Sequence, residues 1–150
     1  MDHVQQVVEI ITLMRHTTFE LRNQLNNMFL DRLGMTLPQV IVLRVINRLD
    51  RPTFGLIAQE VHLAPSTLSG IIKRLERESL LGRHPDPKDL RVQRITVSPK
   101  GQALIDGAEE LYQSYIKEKF RLLTAGELAQ LEELLKKLYD LLLMEPEGTI

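Results

Sequence analysis

The 150-residue chain has no cysteine and no tryptophan, and its three tyrosines and four phenylalanines make aromatic residues only 5% of it. Without cysteine, disulfide staples, thiolate metal sites, cysteine nucleophiles and thiol-based redox sensing are all excluded. Stability must then come from an apolar core, and a chain of this length buries about 68–70% of its unfolded surface, enough for one self-supporting domain. No uninterrupted apolar run approaches the ~18 residues of a membrane span, and the N-terminal stretch MDHVQQVVEIITLMRHTTFELR is broken by charge too often for a signal peptide. Those absences predict a cytoplasmic protein with no membrane partner. The four histidines, at positions 3, 16, 62 and 84, form no i, i+4 pair and no HExxH, so no metal site is expected. Phosphate-binding glycine loops and nucleophile elbows are missing too, so neither catalysis nor a cofactor is expected.

An excess of either charge is also lacking. The 19 Lys and Arg nearly balance 20 Asp and Glu, for a formal net charge of -1. Divided by segment, the balance is a cancellation: residues 1–43 carry -1, residues 44–101 carry +5, and residues 102–150 carry -5. A basic middle of this size is a footprint for polyanion binding, although a solvated basic face has the same charge.

Residues 4–28 repeat Val4, Ile11, Thr18 and Leu25 at one heptad position and Val7, Met14, Leu21 and Met28 at another. This narrow seam suits a long helix packed along other helices, and Gly34 ends it. Thr36-Leu-Pro-Gln39 has the form of a capping box with proline in the first turn, opening a short helix through Val40, Leu43 and Ile46. The Asp50-Arg-Pro52 turn closes it. A second short helix spans about Thr53 to Val61, with Ile57, Ala58 and Val61 inward. After the tight turn His62-Leu-Ala64, Pro65 opens a third, with Leu68, Ile71, Ile72 and Leu75 at i, i+3, i+4, i+7 and Ser66, Thr67, Ser69, Gly70, Lys73, Arg74 and Arg77 opposite. Two short helices joined by about three residues, the second presenting hydroxyls and then bases, form a helix-turn-helix pattern. From Leu81 the period changes to two. Leu81–Pro85 and Val92–Val97 read as strands around the turn-rich Asp86–Arg91, a β-hairpin placed as a wing. Ser98-Pro99 then caps a helix with Leu104, Ala108, Leu111 and Tyr115 on its apolar face. Thr124-Ala-Gly-Glu127 is a second capping box, followed by Leu128, Leu131, Leu135, Leu138 and Leu142 at heptad spacing. Glu145-Pro-Glu-Gly reads as a frayed tail.

The fold class is therefore mainly α with a small β-hairpin wing (α+β). Its divisions are an N-terminal dimerisation helix at 1–33, a winged helix-turn-helix at 34–100 and C-terminal dimerisation helices at 101–150. The helical ends could bury each other within one chain, but two separated ends flanking a basic domain are better explained by a dimerisation domain made jointly by two copies.

The ordered combination of Lys73-Arg74-Leu75-Glu76, Arg83, Asp86, Asp89-x-Arg91 and Lys100-Gly101, with the Thr36-Leu-Pro-Gln39 and Thr96-Val-Ser-Pro-Lys-Gly101 segments, resembles the MarR family of bacterial winged-helix transcription regulators over essentially the whole chain. Two positions depart from that pattern. Ser79 stands where the family commonly has glycine before its apolar pair, and Ala64 stands where an N-cap hydroxyl or carboxamide is usual.

The resemblance implies a homodimer whose recognition helices, ~34 Å apart, enter successive major grooves of a pseudo-palindromic double-stranded DNA operator. On that reading Ser66, Thr67 and Ser69 lie at the groove-entering end, where hydroxyls and backbone N–H groups reach bases and phosphates. Arg74 suits a guanine edge, with Lys73 and Arg77 on phosphates. Arg91 would reach from the wing into the minor groove, with Asp89 orienting it or holding the turn. Family members also respond to small molecules, often aromatic acids or other lipophilic compounds, bound between the dimer region and the winged helix. The coarse candidates for such a pocket are Met14, His16, Met28, Phe29 and Tyr112, each of which core packing would also explain. The expected function is a sequence-specific DNA-binding regulator, a repressor relieved by a ligand. A winged-helix protein-interaction module that binds no DNA is the alternative, and it has no need of bases at both Arg74 and Arg91.

Overall fold

The computed structural model describes residues 2–145, so the expected C-terminal tail lies, from residue 146 onward, outside the described residues. The chain divides into two compact units, Met1–Tyr112 and Gln113–Ile150.

The first unit begins with α1 (His3–Leu33), which Gly34 ends in the left-handed conformation (φ 66°). The Gly34 N–H donates to the Leu30 carbonyl at 3.0 Å, satisfying a terminal carbonyl that glycine alone reaches without Cβ strain. Next come α2 (Leu37–Leu49), α3 (Phe54–Glu60), α4 (Pro65–Arg77), β1 (Leu81–Pro85) and β2 (Gln93–Val97), and α5 (Pro99–Lys119) begins within this unit. Helix α2 starts where expected. Thr36 Oγ1 accepts the Gln39 N–H (3.3 Å) and Gln39 Oε1 accepts the Thr36 N–H (3.0 Å), both arms of the capping box.

Helix α2 is the hub, packing against α1, α3, α4 and β2. Its inward residues Val42, Leu43 and Ile46 meet Ile57, Leu68, Ile72, Leu75, Leu80 and Ile95, all at most 2% exposed. Each such side chain contributes about 1.5–3 kcal/mol by leaving water. The two strands pair antiparallel, Leu81 opposite Val97 through Pro85 opposite Gln93. Ile95 N–H also donates to the Pro52 carbonyl (2.9 Å), so the segment before α3 is hydrogen-bonded to the wing. Strand β2 starts at Gln93, one residue later than its alternation suggests, because the Val92 N–H turns back to the Asp89 carbonyl (2.9 Å).

The apolar face of α5 is also shifted from the expected stripe. Gly101, Ile105 and Ala108 are buried, while Leu104 and Leu111 are only half-buried. Gly101 sets this phase: a Cβ there would overlap the Leu80 carbonyl oxygen and lie 2.8 Å from Val97 Cγ1, so only glycine lets this face approach.

The second unit contains the end of α5 and α6 (Ala125–Leu143). Thr124 Oγ1 accepts the Glu127 N–H (3.2 Å) while Glu127 Oε2 accepts the Thr124 N–H (2.8 Å), a second complete capping box. Leu128, Leu131, Leu135 and Leu142 of the expected heptad are 45–74% exposed in the single chain, and Leu138 is half-buried.

Candidate nucleic-acid interface

Helix α4 has two chemically opposed faces. Leu68, Ile72 and Leu75 are fully buried, and Ser66, Thr67, Lys73, Arg74 and Arg77 are exposed, with Ser69 half-buried between them. The N-cap, Ala64, supplies no side-chain hydrogen bond. The N–H groups of Ser66 and Thr67 therefore have neither an intrahelical acceptor nor a cap, and they point out of the helix end. At the other end Ser79 takes the left-handed conformation (φ 62°), its N–H donating to the Glu76 carbonyl (2.9 Å) while the Leu80 N–H donates to that of Leu75 (2.9 Å). This is a Schellman closure made without glycine, which strains an L-residue but leaves the helix end well defined.

The wing is braced by two aspartates. Asp86 Oδ1 accepts the N–H groups of Lys88 (2.7 Å) and Asp89 (3.2 Å), and its Oδ2 accepts Arg94 Nε (2.7 Å). Arg94 Nη1 reaches the Arg51 carbonyl (3.4 Å), linking the wing to the turn before α3. Asp89 Oδ1 accepts both the N–H and the Nε of Arg91 (3.1 Å each), and Oδ2 accepts Arg91 Nη2 (3.4 Å). Arg94, then the Lys88 N–H, hold the Asp86 carboxyl below its ordinary value; for Asp89 the Arg91 side chain does so first and the Arg91 N–H second. The clamp leaves the Arg91 side chain 92% exposed at the hairpin tip.

Ion pairing divides the basic segment. Arg44, Arg48, Arg74, Arg83, Arg91 and Arg94 each face a carboxylate, on Glu109, Glu60, Glu78, Glu76, Asp89 and Asp86 respectively. Among the described ion pairs none involves Arg51, Lys73, Arg77 or Lys88. Apart from Lys100 on α5, which donates to the Glu78 carbonyl, the uncompensated positive charge of the basic segment thus lies on the outer face of α4, on the wing and at the turn beside it.

Comparison with known proteins agrees with this geometry. The MarR family profile matches residues 35–92. A HTH-type transcriptional regulator of Bacillus subtilis (strain 168), YsmB, is 30% identical over 135 residues, which cover 90% of this chain and 92% of that protein. This chain belongs to the MarR family. A crystal structure of a cysteine-to-serine mutant of MarR from E. coli complexed with operator DNA is 26% identical, with a TM-score of 0.77, covering 92% of this chain and 99% of that one. The structure of BpsR from Bordetella bronchiseptica, described as regulated in its DNA binding by 6-hydroxynicotinic acid, is 23% identical with a TM-score of 0.73 over 86% of this chain and 91% of that one.

As a MarR-family winged helix the chain is a DNA-binding transcription regulator and not an enzyme. Among the described residues no group of three or more His, Asp or Glu could hold a metal, and no helix is long and apolar enough to cross a membrane. Of the residues expected at an effector pocket, Phe29 is 2% exposed and part of the core, Met14, Met28 and Tyr112 are half-buried, and His16 is exposed. A cleft of about 490 Å³ lies between α2 and α5, lined by Ile41, Arg44, Ile105 and Glu109 among others.

Several contacts were not anticipated from the sequence. Asp86 and Arg94 brace the wing, Glu76 joins α4 to β1 through Arg83 Nε (2.6 Å), and Asn26 Oδ1 accepts the Leu37 N–H (2.8 Å) at the start of α2. Only the i, i+4 spacing of Arg74 and Glu78 left a legible signal.

Proposed function

We propose that this MarR-family chain is a homodimeric repressor that occupies a pseudo-palindromic operator and is released from it by a small aromatic or lipophilic ligand. The observation that carries the DNA part is the segregation on α4, where three fully buried leucine and isoleucine side chains stand opposite exposed Ser66, Thr67, Lys73, Arg74 and Arg77. In this reading Ser66, Thr67 and Ser69 meet bases and phosphates at the helix start, Arg74 reads a guanine edge, Lys73 and Arg77 neutralise phosphates, and Arg91, oriented by Asp89, enters the minor groove. A protein-interaction module would have no need of exposed bases at both Arg74 and Arg91.

Dimerisation is supported within each unit separately. Val4, Val8 and Ile11 of α1 are 56–63% exposed, and Leu128, Leu131, Leu135 and Leu142 of α6 are 45–74% exposed. Surfaces this apolar are expected to be covered in solution. The functional division remains residues 1–33 and 101–150 for dimerisation and 34–100 for DNA, in a cytoplasmic protein. Ligand relief has support from the 6-hydroxynicotinic acid regulation of BpsR, and Met14, His16, Met28, Phe29 and Tyr112 remain the candidates near such a pocket. A ligand releases DNA only to the extent that it binds the DNA-free spacing of the helices more tightly.

Light scattering at micromolar concentration tests the dimer, and a monomer overturns it. Selection of duplexes from a randomised pool tests the operator: an inverted repeat with half-sites about 10 base pairs apart is expected. Recovery of no common sequence contradicts specific recognition.

A further inference from the structure

Arg74 and Glu78 stand one turn apart at the C-terminal end of α4, and the contact between them uses a single donor, Arg74 Nε to Glu78 Oε1 at 3.2 Å. A guanidinium has five N–H donors, one on Nε and four on the two terminal nitrogens. With Nε engaged, Nη1 and Nη2 remain as a fork, and a bidentate guanine contact needs two such donors facing O6 and N7. The paired arginines of the wing are held differently. Asp89 takes both Nε and Nη2 of Arg91, and Arg94 spends Nε on Asp86 and Nη1 on the Arg51 carbonyl. Arg83 is also held through Nε, but from β1 and toward α4 rather than from the outer face of α4 itself. Glu78 has a second property. Glu76, nearer in sequence to Arg74 and Arg77, is half-buried and turned to Arg83, so Glu78 is the exposed carboxylate at this end of the helix, and a DNA phosphate brought there meets it as well as the cations.

We propose that Glu78 is a specificity-determining positioning residue: it holds Arg74 by Nε so that the terminal fork is presented to a guanine, while its charge disfavours indiscriminate phosphate binding by the same arginine. The proposal rests on the assignment of Arg74 to a base edge. A loose arginine exchanges readily between base edges and phosphates and so adds affinity for any sequence. One tethered through Nε keeps a bidentate contact available in the groove but meets repulsion at the backbone. The cost to folding of losing the contact is small, because both side chains are about half exposed. The Glu78 backbone is held independently, its carbonyl accepting Lys100 Nζ (3.1 Å) and its N–H donating to the Arg74 carbonyl (3.1 Å).

The test uses the full chain and two probes: the duplex recovered by wild-type protein from a randomised pool, and a scrambled duplex of the same composition. Glu78→Ala is expected to weaken binding to the first and to leave unchanged or tighten binding to the second, so that the ratio of affinities falls by about tenfold. Glu78→Gln retains an oxygen that can accept from Nε, so it keeps the base preference while both affinities rise. In an Arg74→Ala background Glu78→Ala has no further effect on the ratio. Equal tightening on both duplexes overturns the proposal, because Glu78 is then only a competing charge; an unchanged ratio also overturns it. If Arg74→Ala itself leaves the ratio intact, the base-edge assignment has failed and the proposal falls with it. Circular dichroism melting of each variant separates these outcomes from loss of fold.

Discussion

The recognition helix α4 and the wing both present cations to DNA in the account above, on scaffolds of opposite kinds. Helix α4 is rigid through its own backbone hydrogen bonds and a fully buried stripe, so Lys73 and Arg77 project without carboxylate partners. The hairpin tip has no core beneath it, and Leu90 there is 72% exposed. Its geometry comes instead from Asp86 and Asp89, which bind backbone N–H groups and arginine side chains together. Where packing supplies rigidity, charge can stay unpaired; where it does not, aspartates spend part of the positive charge on holding the loop.

Both regions lean on one point, Gly101, whose missing side chain lets α5 approach Leu80 at the end of α4 and Val97 at the end of β2. Gly101→Ala is expected to have the largest effect, a loss of about 2–3 kcal/mol in chemical denaturation, since backbone rather than a flexible side chain must give way. A change below about 0.5 kcal/mol would mean the two regions are less tightly coupled than this contact implies. Arg91→Ala acts on the wing alone. Operator binding is expected to weaken at least about tenfold in a mobility-shift titration with the fold unchanged, and unaltered binding removes the wing from the interface. Ser79→Gly acts on the helix alone, relieving the left-handed strain at its end. A gain of about 0.5–1 kcal/mol in stability is expected, and a loss would show that the Ser79 conformation is not strained.

The smallest effect is that of pH. Asp86 and Asp89 titrate below their ordinary value of 3.8 in the folded wing. A depressed carboxylate contributes stability that is fully present above the unfolded value and is lost as pH falls through the folded one. The wing braces should therefore be intact at neutral and mildly acidic pH and loosen only below about pH 4. Amide exchange at Lys88 and Asp89 that rises between pH 6 and 5 beyond its intrinsic rate would contradict this.

The helices were legible because their signals are local. Thr36 with Gln39, Thr124 with Glu127, Pro65 and Gly34 each mark a boundary within four residues, and the buried stripe of α4 follows from spacing alone. The phase of α5 was not, because Leu104 and Leu111 are as apolar as Ile105, and the choice between stripes is made by the carbonyl of Leu80, distant in sequence. The exposed bases could be named from the sequence, yet which of them stay unpaired depends on side chains from other elements, as with Glu76 and Arg83 or Glu109 and Arg44. Ser79 was visible as a departure from the family pattern. That it adopts glycine's conformation rather than altering the helix end follows from the closure made by Leu80 and Leu75.

The central claim is that unpaired cations on helix and wing neutralise DNA phosphates, and the salt dependence of operator binding tests it most directly. Each phosphate neutralised contributes about -0.9 to the slope of log affinity against log salt, so a dimer engaging Lys73, Arg77 and Lys88 from each copy predicts a slope of about -5. A slope near zero would contradict the account.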